Sequence, residues 1–175
     1  MADWALSSGD SKGLPFVVID KIKARLFVFD AMGKLRGTSM ALLGLAHGDY
    51  TTPGIGTRKL ADIRPEERTT PAGRFVASLG HDLQADILWV DYDAAISLHR
   101  VVRGNPGDHR LERLVSNSPL NKRISYGCIN VPRQFYEDVV LKVFAGTSGI
   151  VYILPERSKL EDFFPLAAPG PNEKP

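Results

Sequence analysis

From Pro15 onward the apolar positions fall into short runs with the period of a β-strand. In PFVVIDKIKARLFVFD (15–30) two such runs stand out, 16–20 and 25–30. In the second, Leu26, Val28 and Asp30 alternate with Phe27 and Phe29. DAMGK closes that run as a turn and LRGTSMALLG (35–44) reads as a third strand, so the chain is expected to open on an antiparallel meander. GRFVASL (73–79), DILWVDYD (86–93), AAISLH (94–99) and GIVYILP (149–155) carry further strand patterns. The period changes in VPRQFYEDVVLKVF, where Val131, Phe135, Val139 and Val143 recur at helical spacing. Pro132 suits the first turn of that helix and Asn130 its N-cap. DHRLERLVS (108–116) predicts one or two further helical turns.

Between these runs the pattern lapses twice. Residues 44–71 are rich in Gly, Pro, Thr and charge, and are too long for a simple connection. Residues 103–122 form a second long insertion, and both are expected to wall the functional cleft. The polar, Gly/Ser-containing residues 1–14 read as a flexible arm, 15–155 as one catalytic domain, and 156–175 as a Pro-rich tail whose end, LAAPGPNEKP, is predicted to be disordered. The expected fold is mainly β: a twisted β-sheet sandwich of about six to eight strands, with one main helix and long loops around the cleft.

Composition narrows the function classes. The 175 residues suffice for one domain with its own core, and 43% hydrophobic with 24% charged residues is ordinary for a globular protein. Lys+Arg 22 against Asp+Glu 20 leaves no charge excess to draw nucleic acid, and no block of like charge forms a basic arm. No apolar run approaches the ~18–20 residues of a membrane span. The opening MADWALSSGDSKG does not read as a signal peptide, which leaves a protein that stays inside the cell or a mature envelope form with an added methionine. A single cysteine excludes an internal disulfide framework and a multi-thiolate metal site. With neither an HExxH motif nor a phosphate-binding glycine loop, no metal and no cofactor is expected.

That cysteine, Cys128, sits in RISYGCINVP, between a glycine and an apolar run that a proline ends. A lone cysteine is commonly a small buried hydrophobe. Here it stands just before the predicted helix, whose unpaired N–H groups and dipole would favour a thiolate. Gly127 permits a sharp bend and exposes backbone N–H groups to an oxyanion. This is the layout of a nucleophile that needs a base. Of the four histidines, His47 and His81 lie in Gly-rich polar turns and His109 in the charged stretch GDHRLER; only His99 ends an apolar strand. By position His99 is either a satisfied half-buried histidine or the missing base.

TTPAGRF (69–75), ISLH (96–99) and ISYGCINVP (124–132), in that order behind the opening meander, resemble the YkuD-type L,D-transpeptidases, bacterial cysteine enzymes that cross-link peptidoglycan. The resemblance covers roughly residues 15–155. The family motif is a histidine, a spacer, then Ser/Thr-His-Gly-Cys-hydrophobic-Asn. It implies that Cys128 is the acylated nucleophile and His99 its general base, with Ser125, Gly127 and Asn130 at the other motif positions. Three departures mark a divergent branch. Tyr126 replaces the second histidine, Arg100 stands where glycine is frequent, and Cys128 follows His99 by 29 residues. Tyr126 either supplies a hydroxyl to the site or simply packs. The implied partners are donor and acceptor stem peptides of peptidoglycan, and carbapenems are implied inhibitors. The implied place of work is the periplasm or cell envelope. Substrate carboxylates call for arginine, and Arg123, Arg100 and Arg103 lie nearest the motif. L,D-carboxypeptidase action, possible in the cytoplasm as wall recycling, and an inactive wall-binding module are the alternatives.

Overall fold

The computed structural model describes residues 1–82 and 85–165. Strands form in the predicted runs, and two more, β8 and β9, flank the cysteine: β1 (Phe16–Asp20), β2 (Arg25–Phe29), β3 (Leu35–Met40), β4 (Leu43–Gly44), β5 (Gly73–Asp82), β6 (Ala85–Asp91), β7 (Ile96–Arg100), β8 (Arg123–Ser125), β9 (Ile129–Val131) and β10 (Gly149–Ile153). Eight of them make one sheet in the order β3-β2-β1-β10-β5-β6-β7-β9, and β4 pairs with β8 in a second. β1-β2-β3 is the expected antiparallel meander. The chain returns at its C-terminal end to lay β10 parallel to β1, which makes both strands central.

Central position explains why FVVI and GIVYI are continuously apolar: both faces are covered. Val17, Ile19, Val151 and Ile153 point into the larger core, where Tyr136, Val140 and Phe144 of the helical run also lie. Phe16, Val18, Ile150 and Tyr152 point the other way, into a smaller cluster. That second cluster corrects the expectation of a loose N-terminal arm. Residues Ala2–Ser7 form a helix, Ala5 is fully buried, and Trp4 packs edge-on against Tyr152 and Phe164. The tail expectation is corrected in part for the same reason: Phe164 completes this cluster, and Leu160–Asp162 is a turn of 3-10 helix. The run 166–175 lies outside the described residues.

The helix after the cysteine spans 133–144 as Arg133–Phe135, a π-helical stretch Tyr136–Val140, and Leu141–Phe144. It starts later than predicted. Pro132, not Asn130, occupies the N-cap, because Asn130 is part of β9 and exchanges backbone hydrogen bonds with Leu42 at 2.9 and 2.8 Å. Cys128 therefore stands at a turn between β8 and β9, separated from the helix by a strand, and gains nothing from the helix dipole.

Candidate active site

The site is produced by the register of two parallel strands. β7 and β9 pair with Leu98 opposite Ile129 and His99 opposite Asn130. Leu98 and Ile129 point into the core. Strand alternation then puts Ser97, His99, Cys128 and Asn130 together on the opposite face. Residues 29 positions apart in sequence become neighbours by one ladder.

The contacts follow from that placement. The Ser97 hydroxyl lies 3.6 Å from Cys128 Sγ, which is also 3.6 Å from the carbonyl oxygen of Ala95. His99 Nδ1 lies 2.7 Å from the carbonyl oxygen of Arg100, an acceptor, so Nδ1 carries the proton and Nε2 is turned toward the thiol and Asn130. Asn130 is buried. Its Nδ2 donates to the carbonyl of Cys128 at 3.2 Å and lies 3.5 Å from His99 Nε2, while its Oδ1 accepts from Arg110 Nη1 at 3.3 Å. Arg110 is itself held by Asp108 at 3.0 Å.

The electrostatics favour an ion pair. Burial disfavours the thiolate, but the His99 imidazole and then the Ser97 hydroxyl and N–H outweigh it and pull the Cys128 thiol below its ordinary range. Burial and the nearby Arg110 charge work against the imidazolium. The Cys128 thiolate and the Arg100 carbonyl outweigh both, and His99 is shifted upward. A half-buried cysteine with these neighbours has the surroundings of a nucleophile rather than of an inert core thiol.

The turn carrying Cys128 is fixed from below. Gly127 has φ 133°, and a Cβ there would lie 2.6 Å from Ile96 Cδ1 and 2.8 Å from the Thr69 carbonyl oxygen, so only glycine fits. Thr70 Oγ1 donates to the Gly127 carbonyl at 2.7 Å and accepts from Gly44 N–H at 2.8 Å, which ties the TTPAG turn to the nucleophile turn. The first insertion is thus anchored under the site and also sends Ile55 and Ile63 into the core. The second reaches the site through Arg110.

The other predicted residues are placed differently from expectation. Ser125 is buried and serves the turn: its hydroxyl donates to the Cys128 carbonyl at 2.7 Å and accepts from Gly127 N–H at 3.1 Å. This engages the Gly127 N–H that was expected to face an oxyanion. Arg123 is buried, with Nη2 2.6 Å from Glu156 Oε2 and 2.9 Å from the Lys21 carbonyl, so its charge is spent inside the protein. Arg100 is held between Asp86 and Glu137, each at 3.0 Å, and its guanidinium lies 4.4 Å over the Tyr136 ring. It faces the core side because it follows His99 by one residue. Arg103 is exposed at the edge of a cleft. The Tyr126 ring packs against the core with the Arg68 guanidinium 4.0 Å above it. His109 is 67% exposed beside Glu112, away from the thiol. Two residues were missed, Ser97 and Arg110. The first was readable as Ser-x-His on one strand face; the second, inside an insertion, had no signal.

Among the described residues no group of three or more His, Cys, Asp or Glu side chains comes together as a metal site, and no helix is long and apolar enough to cross a membrane.

No protein-family model matches the sequence, and no curated protein matches it. Among solved structures, the helical cell shape determining protein Pgp2 from Campylobacter jejuni is similar in fold, with TM-score 0.52 and 17% identity over 91% of this chain and 57% of that one. A mutant form of Pgp2 gives TM-score 0.51 and 16% identity over 91% and 56%. The chain spans a little over half the length of these Pgp2 chains.

Proposed function

We propose that this chain is a peptidoglycan L,D-transpeptidase that works through a thioester on Cys128. The observation that carries the reading is the Cys128–His99 pair, set by the β7–β9 register and biased toward thiolate and imidazolium. The fold likeness to a cell-shape protein supports the cell wall as the setting. The envelope is then the place of work.

In the first step Cys128 Sγ attacks the carbonyl carbon of a donor stem peptide at its diaminopimelate-type residue. The oxyanion is taken by backbone N–H groups of the turn. Those of Tyr126 and Cys128 are the candidates, since Gly127 N–H is held by Ser125. The C–N bond breaks, the departing amine takes the proton from His99 Nε2, and a thioester remains. The amine of an acceptor stem then attacks the thioester, His99 removes its proton, and the new amide leaves as Cys128 is released. Water in the amine's place gives L,D-carboxypeptidase action from the same acyl-enzyme.

Mass spectrometry of the intact protein incubated with a disaccharide-tetrapeptide, or with a carbapenem, tests the reading. An adduct on Cys128, absent from Cys128→Ala, is the expected result. Dimeric or trimmed muropeptides then distinguish transfer from hydrolysis. No adduct from either compound leaves a wall-binding module and overturns the enzyme.

A further inference from the structure

The second insertion places an arginine behind the base. Its helix Arg110–Val115 carries two of them. Arg113 is spent on the insertion itself: Nε donates to the Asp108 carbonyl at 2.8 Å and Nη1 to the Asn121 carbonyl at 3.2 Å. Arg110 turns instead toward β9. Its Nε donates to Asp108 Oδ2 at 3.0 Å and its Nη1 to Asn130 Oδ1 at 3.3 Å, and its side chain is 13% exposed. Backbone passes close over this pair: a Cβ on Gly104, at φ 61°, would lie 3.0 Å from Arg110 Nε and 3.2 Å from Asp108 Oδ2. A planar guanidinium held at Nε has its Nη1 fixed in direction, which an ammonium on a flexible stem does not.

What Arg110 fixes is which atom of Asn130 faces His99. A guanidinium only donates, so the amide oxygen points at Arg110 and the amide nitrogen points away. There Nδ2 donates to the Cys128 carbonyl at 3.2 Å and lies 3.5 Å from His99 Nε2. An N–H aimed at Nε2 suits that nitrogen when it is unprotonated and opposes its protonation. The guanidinium charge acts in the same sense. Burial of the ring and the Arg110 charge disfavour the imidazolium, against the Cys128 thiolate and the Arg100 carbonyl, which favour it. The neighbouring cation on β7, Arg100, is held on the other face by Asp86 and Glu137.

We infer that Arg110 is a positioning residue for the base, reaching in from the second insertion to fix the Asn130 amide with its N–H toward His99 Nε2 and so to oppose protonation of that nitrogen. Its use in catalysis rests on the proposed acyl-transfer reading; its hold on the ring does not. In one turnover His99 gives a proton to a departing amine and takes one from the incoming nucleophile. A ring locked too firmly into an ion pair with Cys128 gives its proton up slowly, and Arg110 is the counterweight that keeps the transfer balanced.

The test titrates the His99 ring in the full chain by NMR of isotope-labelled histidine, assigned against His99→Gln, and follows acylation of Cys128 by a carbapenem. In Arg110→Gln the ring should take its proton at higher pH than in wild type. The maximal acylation rate should fall on the order of tenfold with the half-saturating concentration unchanged. Arg110→Lys keeps the charge and loses the fork, so its ring should titrate nearer to wild type while the acylation rate stays reduced. An unmoved titration in Arg110→Gln overturns the inference. So does an equal upward shift in Arg110→Lys, since the effect would then belong to a disrupted insertion, which faster amide exchange of 110–122 in both variants would register. A titration that moves as expected in a protein that no carbapenem acylates removes the acyl-transfer reading and leaves Arg110 on the ring. An unmoved titration beside normal acylation removes Arg110 and leaves the chemistry.

Discussion

Ser97 contributes both a hydroxyl and a backbone N–H to the sulfur, and the charged form of Cys128 uses both. Hydrogen bonds to a charged group are worth about 1.5–3 kcal/mol. Ser97→Ala is therefore expected to slow alkylation of Cys128 by iodoacetamide at pH 7 on the order of tenfold and to move its pH profile upward. An unshifted profile would remove Ser97 from the site. The sign of that profile follows from the pair. Cys128 is shifted down and His99 up, so the thiolate–imidazolium form persists below the ordinary thiol range of about 8.5. Wild-type alkylation should stay fast as pH falls through neutrality, where an ordinary thiol loses about tenfold per unit. His99→Gln should restore the ordinary dependence and His109→Gln should not, because His109 lies on the surface. An ordinary thiol profile in wild type would contradict the ion pair.

At the scale of elements, the second insertion is held together by one buried cation. Lys122 is fully buried and its Nζ donates to the carbonyls of Arg113, Leu114 and Ser116, closing the end of the helix Arg110–Val115. Lys122→Ala leaves these carbonyls without their donor. It should cost about 2–4 kcal/mol locally and raise the hydrogen-exchange rate of 110–122 while β1 and β10 stay protected. Global loss of protection would show that the insertion is part of the core. None of this was legible in the sequence, since a lysine in NKRIS reads as surface charge. The elements read best were those with an unbroken period, β1, β2 and the helix at 133–144. Those read worst were β8 and β9, three residues each, too short for alternation to register. The pair Cys128–His99 was legible because its residue types are rare and ordered. Asn130 stood in the motif, but its place against His99 comes from the β7–β9 register, which also brings Ser97, and only a tertiary contact brings Arg110. Arg123 misled for a related reason: proximity along the chain to Cys128 says nothing of the face, and its charge is consumed by Glu156.

At the scale of the whole molecule, one buried ionic cluster gathers four distant segments of the chain. Lys21 follows β1, Asp49 lies in the first insertion, Arg123 opens β8, and Glu156 follows β10. Lys21 Nζ lies 2.8 Å from Asp49 Oδ1, and Arg123 Nη2 lies 2.6 Å from Glu156 Oε2. Asp49 also accepts from the N–H groups of Glu156, Arg157 and Ser158 at 2.7–2.9 Å. The cluster therefore joins the first insertion and the start of the nucleophile hairpin to the chain leaving β10. Burial raises the Asp49 carboxyl, but the Lys21 ammonium and the three N–H donors outweigh it and hold it well below the usual carboxylate range. A depressed folded value means stability that is complete above the unfolded value of about 3.9 and is lost as pH falls through the folded one. Removing one partner of a buried pair costs about 3–5 kcal/mol, because the other charge is left unpaired. Asp49→Ala is thus expected to lower the melting temperature at pH 7 by roughly 10 °C, at about 2–4 °C per kcal/mol for a chain of this size. The gap between wild type and variant should narrow as the pH drops below about 4, since acid strips the wild type of the same interaction. Thermal melts of both proteins from pH 7 down to pH 2.5 measure this. A gap that stays constant over that range would mean that Asp49 acts through shape alone, and that its charge does not tie the first insertion to the chain leaving β10.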